Sequence, residues 1–293
     1  MTTLRRQRKQ KHPVFRGRQA RRRVRYDRVV IATVILAFSV FLIWKIGSFA
    51  LDRFPQKAES TVVVQQPSML GGFTVVPMAK KEPVRFKGKV QKVAYLTFDD
   101  GPSKYTNDIL DVLKENKVQG TFFMVGTEIH KYPDAVKRMV EEGSYPGMHT
   151  MTHEYHTLYK SGSSANFIKE VKQEQKIIQD LTGYKPFLVR APFGSAPQIG
   201  EDFRGDIAKA QFKLWDWTTD SMDWDLPGNP KQVIANVKRD VHKDVEVILF
   251  HEKEQTLEAL PEIIAYLKKK GYEIQVYNPE NHVVMNFKND QRL

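Results

Sequence analysis

The sequence predicts an α/β fold: a parallel sheet with crossover helices, curled into a small barrel and preceded by one transmembrane helix. Three observations carry this expectation. Strand-like and helix-like stretches alternate from about Val93 onward. The reactive side chains fall at the ends of the expected strands. A run without charge, Val29 to Trp44, stands ahead of the alternating part and behind a dense basic arm.

Residues 1–28 contain twelve Lys or Arg and a single acid, Asp27. They account for +11 of the net charge of +12, so the rest of the chain is close to neutral. A near-neutral folded part gives no argument for a nucleic-acid-binding domain. The arm has no apolar periodicity and is expected to stay disordered. Val29 to Leu51 would make a helix about 34 Å long at 1.5 Å per residue, enough to cross a bilayer. Trp44 and Lys45 lie near one end of it, where interfacial aromatics and snorkelling cations belong. Positive residues stay in the cytoplasm, so residues 52–293 are expected outside the cell membrane. A core helix would not carry such an arm. A cleaved leader is the alternative to an anchor, because Ser48-Phe49-Ala50 resembles a small-x-small cleavage site.

Residues 52–91 read as an extracellular linker, punctuated by Pro55, Pro67, Pro77, Pro83 and Gly71-Gly72. The catalytic domain is expected over 92–280, with 281–293 as a C-terminal tail. Its first strand is Val93 to Phe98, apolar and rich in β-formers. Asp99 and Asp100 end it, and Gly101-Pro102 stops it. Further strands are expected over 121–125, 187–190, 212–217, 245–250 and 273–277. Helices are expected over 106–116, 133–142, 165–181, 201–210, 230–241 and 257–270. Six or more such units in about 190 residues favour a barrel over an open sheet, and barrels gather their chemistry at strand C-termini.

Five polar clusters meet that expectation. They are Asp99-Asp100, His149 with His153, Arg190, Asp220-Asp223-Trp224, and His251. The chain has no cysteine, so any metal must be held by His, Asp or Glu. His149 and His153 stand four apart, which on a helical turn puts both rings on one face. With Asp100 they make a His, His, Asp set with positions left open, suited to zinc or another divalent transition ion. Asp99 is then placed to take a proton from the attacking water, and Arg190 to keep it ionised. His251 would protonate the leaving group while Asp223 holds the imidazole charged. Each residue alone has a plainer reading: a turn for Asp-Asp-Gly-Pro, a core histidine for His251, a surface ion pair for Arg190, core for Trp224. His156 is a rival ligand near His153.

These motifs resemble those of the polysaccharide deacetylases, the NodB-homology domain of carbohydrate esterase family four. The resemblance covers roughly residues 90–278. The family's TFDDG stands as Thr97 to Gly101, its H-[ST]-x-x-H as His149 to His153, and its R-x-P-[YF]-G as Arg190 to Gly194. Its D-x-x-D-W stands as Asp220 to Trp224, and its L-x-H as Leu249 to His251. The resemblance implies a distorted (β/α) barrel that removes N-acetyl groups from a sugar polymer. It implies Asp99 as catalytic base, Asp100, His149 and His153 as metal ligands, and His251 as acid. Arg190 would orient Asp99, and Asp223 would tune His251. The Phe193 N–H would help hold the oxyanion, and Trp224 and Leu249 would line the acetyl pocket.

The chain departs from the family at Tyr145-Pro146 before the first histidine and at Glu252 after the last. Both are expected around the substrate groove, with Pro146 also withholding a donor from its strand. Phe193 stands where Tyr is common. The expected activity is removal of acetyl from a cell-surface glycan: GlcNAc of peptidoglycan first, MurNAc second, with one zinc ion, or cobalt, nickel or manganese. A catalytically silent glycan-binding module and an O-acetyl esterase are the alternatives.

Overall fold

The computed structural model describes residues 85–86 and 89–293. The basic arm, the expected membrane helix and most of the expected linker lie outside the described residues. Among the described residues no helix is long and apolar enough to cross a membrane.

A short antiparallel pair, β1 (Arg85–Phe86) and β2 (Lys89–Val90), leads into the main sheet. The central strand is β3 (Lys92–Gly101). Around it lie β4 (Thr121–Met124), β5 (Tyr145–Met148), β6 (Leu188–Val189), β7 (Lys213–Leu214), β8 (Thr219–Asp220), β9 (Val245–His251) and β10 (Tyr272–Gln275). All pair in parallel, in the order β7-β6-β5-β4-β3-β9-β8. β10 joins the first half of β3, on Lys92 to Tyr95, and β4 takes the second half from Thr97.

The connections are helical. They are α1 (Thr106–Glu115), α2 (Gly126–Ile129), α3 (Pro133–Glu141), α4 (Tyr155–Tyr159), α5 (Ala165–Thr182), α6 (Glu201–Lys209), α7 (Pro230–Asp240) and α8 (Glu254–Lys269). The six longer helices match the sequence expectation to within three residues. α2, α4, β5 and β8 are too short for periodicity to mark them.

The sheet is a curled half-barrel, in keeping with the distorted barrel expected, and its two edge strands do not pair with each other. β7 and β8 are its two edges, yet only Trp215 to Thr218 separates them in the chain. Five peptide steps reach at most roughly 18 Å. Seven flat strands would put the edges about 29 Å apart. The sheet must therefore curl until its edges nearly meet. The seam between them is covered by the stretch after β10. Met285 bridges to Trp215, Asp216 N–H donates to Met285 O, and Trp215 Nε1–H donates to Val283 O. Residues 281–293, expected as a tail, thus pack on the sheet edge, and Leu293 is fully buried.

Curling explains why the strands read as unbroken apolar runs, since both faces are buried. One face of β3 sends Ala94, Leu96 and Phe98 toward the helices, where Phe98 stacks between Phe122 and Phe250. Truncating such a ring costs roughly 3–5 kcal/mol. The other face sends Tyr95, Thr97 and Asp99 inward, with Phe123, Tyr145, Trp215 and Val247 lining the same concave side. Asp99 therefore enters the interior by strand alternation alone.

Candidate active site

In a regular strand Asp99 and Asp100 would point to opposite faces. They do not, because the β3–β4 register slips between Asp99 and Gly101, leaving Asp100 as an unpaired bulge residue with φ +66°. The bulge turns the second carboxyl back toward the same end of the sheet.

Arg190, fully buried just beyond β6, meets Asp99 from the far side of the interior. Its Nη1 donates to Asp99 Oδ1 at 2.8 Å and to Thr97 Oγ1 at 2.7 Å. Its Nε and Nη2 are spent on the carbonyls of Trp215 and Asp216, and its plane lies 4.1 Å above the Phe123 ring. A buried guanidinium with its donors satisfied is a fixed charge, and it fixes the carboxylate beside it.

Asp100 Oδ1 stands 3.7 Å from His149 Nε2 and 3.6 Å from His153 Nε2. These gaps are too wide for hydrogen bonds. They fit a shared ion: two ligands about 2.1 Å from one tetrahedral centre lie roughly 3.4 Å apart. One donor atom from each of the three residues lies within 4.8 Å of the others. The tautomer agrees. His149 Nδ1 lies 2.8 Å from the carbonyl of Arg190, which can only accept, so Nδ1 carries the proton and Nε2 offers its lone pair. Burial and the neighbouring His149 hold the His153 imidazole below its ordinary pKa, favouring the neutral, ligating form. Burial pushes the Asp100 carboxyl up, but His149, His251 and His153 outweigh it and leave the group below the usual range.

The two histidines converge by a different route from the expected helical turn. Residues 149–153 form a bend with left-handed φ at Thr150 (+71°) and His153 (+57°). Two carboxylates on α5 hold that bend. Glu174 accepts from His149 N–H at 3.1 Å, and Glu170 accepts from Thr152 N–H at 3.1 Å and from its hydroxyl. Glu174 is fully buried, and burial pushes its carboxyl well above the ordinary range. The sequence motifs point to neither glutamate. A weaker signal does mark them: both fall within the apolar stripe Phe167, Val171, Ile178 of an amphipathic helix, where an acid has no place without a partner.

On the opposite side, β9 carries His251 into register with Asp99. The buried Asp223 sits in a one-turn 3₁₀ helix after β8. Asp223 Oδ1 accepts from His251 Nδ1 at 2.8 Å, and Oδ2 accepts from His251 N–H at 2.6 Å and from the Thr256 hydroxyl. Burial alone would lower the His251 pKa; the hydrogen bond and charge of Asp223, with Asp99 and Asp100 beyond, raise it to about 9. Its other nitrogen, Nε2, faces the site 4.0 Å from Asp100 Oδ2. Asp220 is bound up locally, accepting from Met222 N–H.

The remaining expected residues fall as follows. Phe193 (φ +65°) is half exposed, its ring 4.6 Å from His153. Trp224 is equally exposed beside Asp223, and Leu249 is buried in β9. His156 lies on α4 outside the cluster, its ring against Tyr155.

Two of the three departures from the family pattern, Glu252 and Tyr145-Pro146, are structural. Glu252 is buried and turned away under the β3 exit, accepting from Ser103 N–H, the Ser103 hydroxyl and the Thr106 hydroxyl. Tyr145 and Pro146 lie buried within β5. Tyr145 N–H and His149 N–H bond to β4-side carbonyls, so position 146 faces β6. There the Tyr145 hydroxyl accepts from Phe187 and Leu188 N–H, tying β6 to β5 beside the position where Pro146 has no N–H to give. Neither change faces the groove as the sequence suggests.

The arrangement combines a metal-type donor set, a buried carboxylate fixed by arginine and a charged imidazole aimed at the same space. Chemically, such a set can supply an acid, a base and a Lewis-acid position, which are the needs of hydrolysis.

The chain is similar to known proteins. Residues 87–215 match the family model described as polysaccharide deacetylase. A peptidoglycan-N-acetylglucosamine deacetylase of Bacillus cereus is 40% identical over 271 residues, covering 90% of this chain and 96% of that protein. A peptidoglycan-N-acetylmuramic acid deacetylase of Bacillus subtilis is 36% identical over 202 residues, covering 68% of this chain and 40% of that protein. The crystal structure of the polysaccharide deacetylase Bc1974 from Bacillus cereus superposes with a TM-score of 0.67 at 43% identity, covering 69% of this chain and all of that one. With five motifs converging at one end of a curled parallel sheet, this chain belongs to the polysaccharide deacetylase family, the enzymes of carbohydrate esterase family four.

Proposed function

We propose that the chain is a metal-dependent amidohydrolase that removes N-acetyl groups from a cell-surface glycan. The substrate is GlcNAc of peptidoglycan, with MurNAc as second choice. The observation that carries this is the Arg190-held Asp99 carboxylate beside the Asp100, His149, His153 donor set, with His251 opposite. The first choice of sugar is supported by the relative that matches along 96% of its own length.

The donor set fits zinc, or cobalt, nickel or manganese, because it is two neutral imidazole nitrogens and one carboxylate oxygen. A divalent ion bound there supplies Lewis-acid polarisation of the acetyl carbonyl and acidifies water. The protein does the rest. Asp99 takes the proton of the attacking water as the new C–O bond forms. Arg190, whose Nη1 is also held by Thr97, keeps that carboxyl oriented. The Phe193 N–H holds the developing oxyanion. His251, charged by Asp223, gives its Nε2 proton to the departing amine as the C–N bond breaks. Trp224 and Leu249 wall the acetyl methyl. The products are acetate and a free amine on the sugar. We further propose that residues 29–51 anchor the domain on the outer face of the bacterial membrane, close to that polymer.

The test is acetate release from N-acetylglucosamine oligomers and purified wall, with and without chelator, and with each metal restored. Release that chelation abolishes and zinc restores is expected. Release that survives complete chelation, or none with any divalent ion, would sink the proposal.

A further inference from the structure

Three large apolar side chains stand open to solvent among the described residues: Phe193 (53%), Trp224 (53%) and Phe287 (46%). Phe193 and Trp224 belong to the site already described. Phe287 comes from the stretch that covers the seam, and the deacetylation chemistry does not use it.

Its position is built. The Phe287 N–H donates to Asp216 Oδ2 at 2.7 Å. The same buried carboxyl accepts from Ser195 N–H at 2.8 Å and from the Ser195 hydroxyl. One carboxylate therefore ties the seam segment to the loop that carries Arg190 and Phe193. The segment is fastened again beyond Phe287, where Asp290 pairs with Arg204 at 2.9 Å. The Phe287 ring meets Trp217 edge to face at 5.1 Å. Both rings close over Gly194: a Cβ there would lie 3.1 Å from Trp217 Cη2 and 3.2 Å from Phe287 Cε2. Gly194 follows Phe193, whose ring touches His153. The path from the metal-type cluster thus runs from His153 through Phe193 and Gly194 to Trp217 and Phe287.

A single exposed phenylalanine is ordinary. An exposed ring backed by a tryptophan, set beside the glycine next to Phe193 and carried by a segment fastened at Asp216 and at Arg204, is suited to a ligand. We propose that Phe287, backed by Trp217, is a sugar platform. It takes the C–H face of a neutral pyranose in the glycan strand, displaced along the strand from the sugar that loses its acetyl group. Such a face carries slightly positive hydrogens and lies well on the negative face of an aromatic ring. This inference rests on the reading of the substrate as a glycan.

The experiment compares the full chain with F287A and F287W on N-acetylglucosamine oligomers from dimer to hexamer. The quantity read is the gain in kcat/KM from dimer to pentamer. Wild type is expected to show a clear gain carried by KM, F287A to lose about tenfold of it, and F287W to recover it. Pentamer binding followed by NMR on the same proteins gives a readout that does not need turnover, with F287A expected to bind about tenfold more weakly. No acetate release from any oligomer by wild type would defeat the deacetylase reading. If pentamer binding that depends on Phe287 persists then, the platform stands. A length gain and a pentamer affinity both unchanged in F287A, or losses equal at every length that F287W does not recover, would overturn it.

Discussion

Asp99 and His251 face each other across one ladder, while His149, His153 and Phe193 are set on bends. The first pair is held by β3 and β9, the two longest strands, in direct register. The second group has left-handed backbone at Thr150, His153 and Phe193. Those bends lie outside the β3–β9 ladder. The histidine bend takes main-chain bonds from its flanks, His149 N–H to Met124 O and the Gly126 and Thr127 N–H to Thr150 and Met151 O. Buried carboxyls add to them: Glu170 and Glu174 on the histidine bend, Asp216 on the loop after Arg190. Strained, non-glycine backbone persists only where its surroundings over-determine it. This site therefore has a half fixed by the register of two long strands and a half whose left-handed bends lean on side-chain acceptors as well. The two should fail differently when mutated.

The largest effect is expected in the ladder-held half. D99N keeps an oxygen for Arg190 but loses the base, so kcat should fall by roughly 10²–10⁴. Metal content, measured on the same protein, should stay near wild type, because the Asp100, His149 and His153 donors are untouched. A D99N enzyme with full rate would remove Asp99 from the chemistry. One that loses its metal would show that the two halves are not separable.

The next effect belongs to the carboxylate-held half. E174A removes the carboxyl that shares the His149 N–H with the Met124 carbonyl, while leaving every metal-ligating atom in place. Metal affinity, read by competition with a chromophoric chelator, should weaken by about 10–100-fold. E174Q retains an acceptor and should fall between. An E174A protein that binds metal as wild type does would mean the bend holds itself and that the contrast between halves is empty.

How much of the site is legible in the sequence divides along the same line. The ladder-held residues announce themselves because strand alternation and position along the chain are one-dimensional: VAYLTF followed by Asp-Asp, and VILF followed by His, place their carboxyls and imidazole without further information. The His149–His153 pairing is legible as a spacing, but the helical turn that the spacing implies is absent, since left-handed residues at Thr150 and His153 bring the rings together without a helix. Barrel closure is not legible at all, because alternation fixes the parallel sheet but not whether its edges pair. The seam cover by Val283 to Phe287 and the anchoring roles of Glu170, Glu174 and Asp216 depend on contacts between distant segments. Only an acid inside an apolar stripe hints at them.

A pH profile sharpens the contrast from the acid side. The His251 pKa is raised to about 9, above the ordinary value near 6.5. A raised histidine keeps its proton at neutral pH. Its contribution is therefore fully present below about 6.5 and lost as pH rises through about 9. The alkaline limb of kcat/KM should fall in that window, nearer its lower part when a dication occupies the Asp100 cluster. D223N removes the charge behind the imidazole and should move the limb down by about one to three units. A limb that stays in place would assign it to another group.

T256V gives the smallest shift and isolates geometry from charge. The Thr256 hydroxyl donates to Asp223 Oδ2, while His251 Nδ1 bonds to Oδ1. Valine has nearly the same shape, so the carboxylate loses one donor but keeps its charge and its imidazole. Leaving a buried charged acceptor short of a partner costs about 1–3 kcal/mol, which thermal unfolding should register. The alkaline limb should move far less than in D223N, because what holds the proton on His251 is the negative charge beside Nδ1 and not the packing around it. If T256V moved the limb as far as D223N, the acid would owe its pKa to the placement of Asp223. The ladder-held half would then depend on side-chain acceptors as heavily as the histidine bend does.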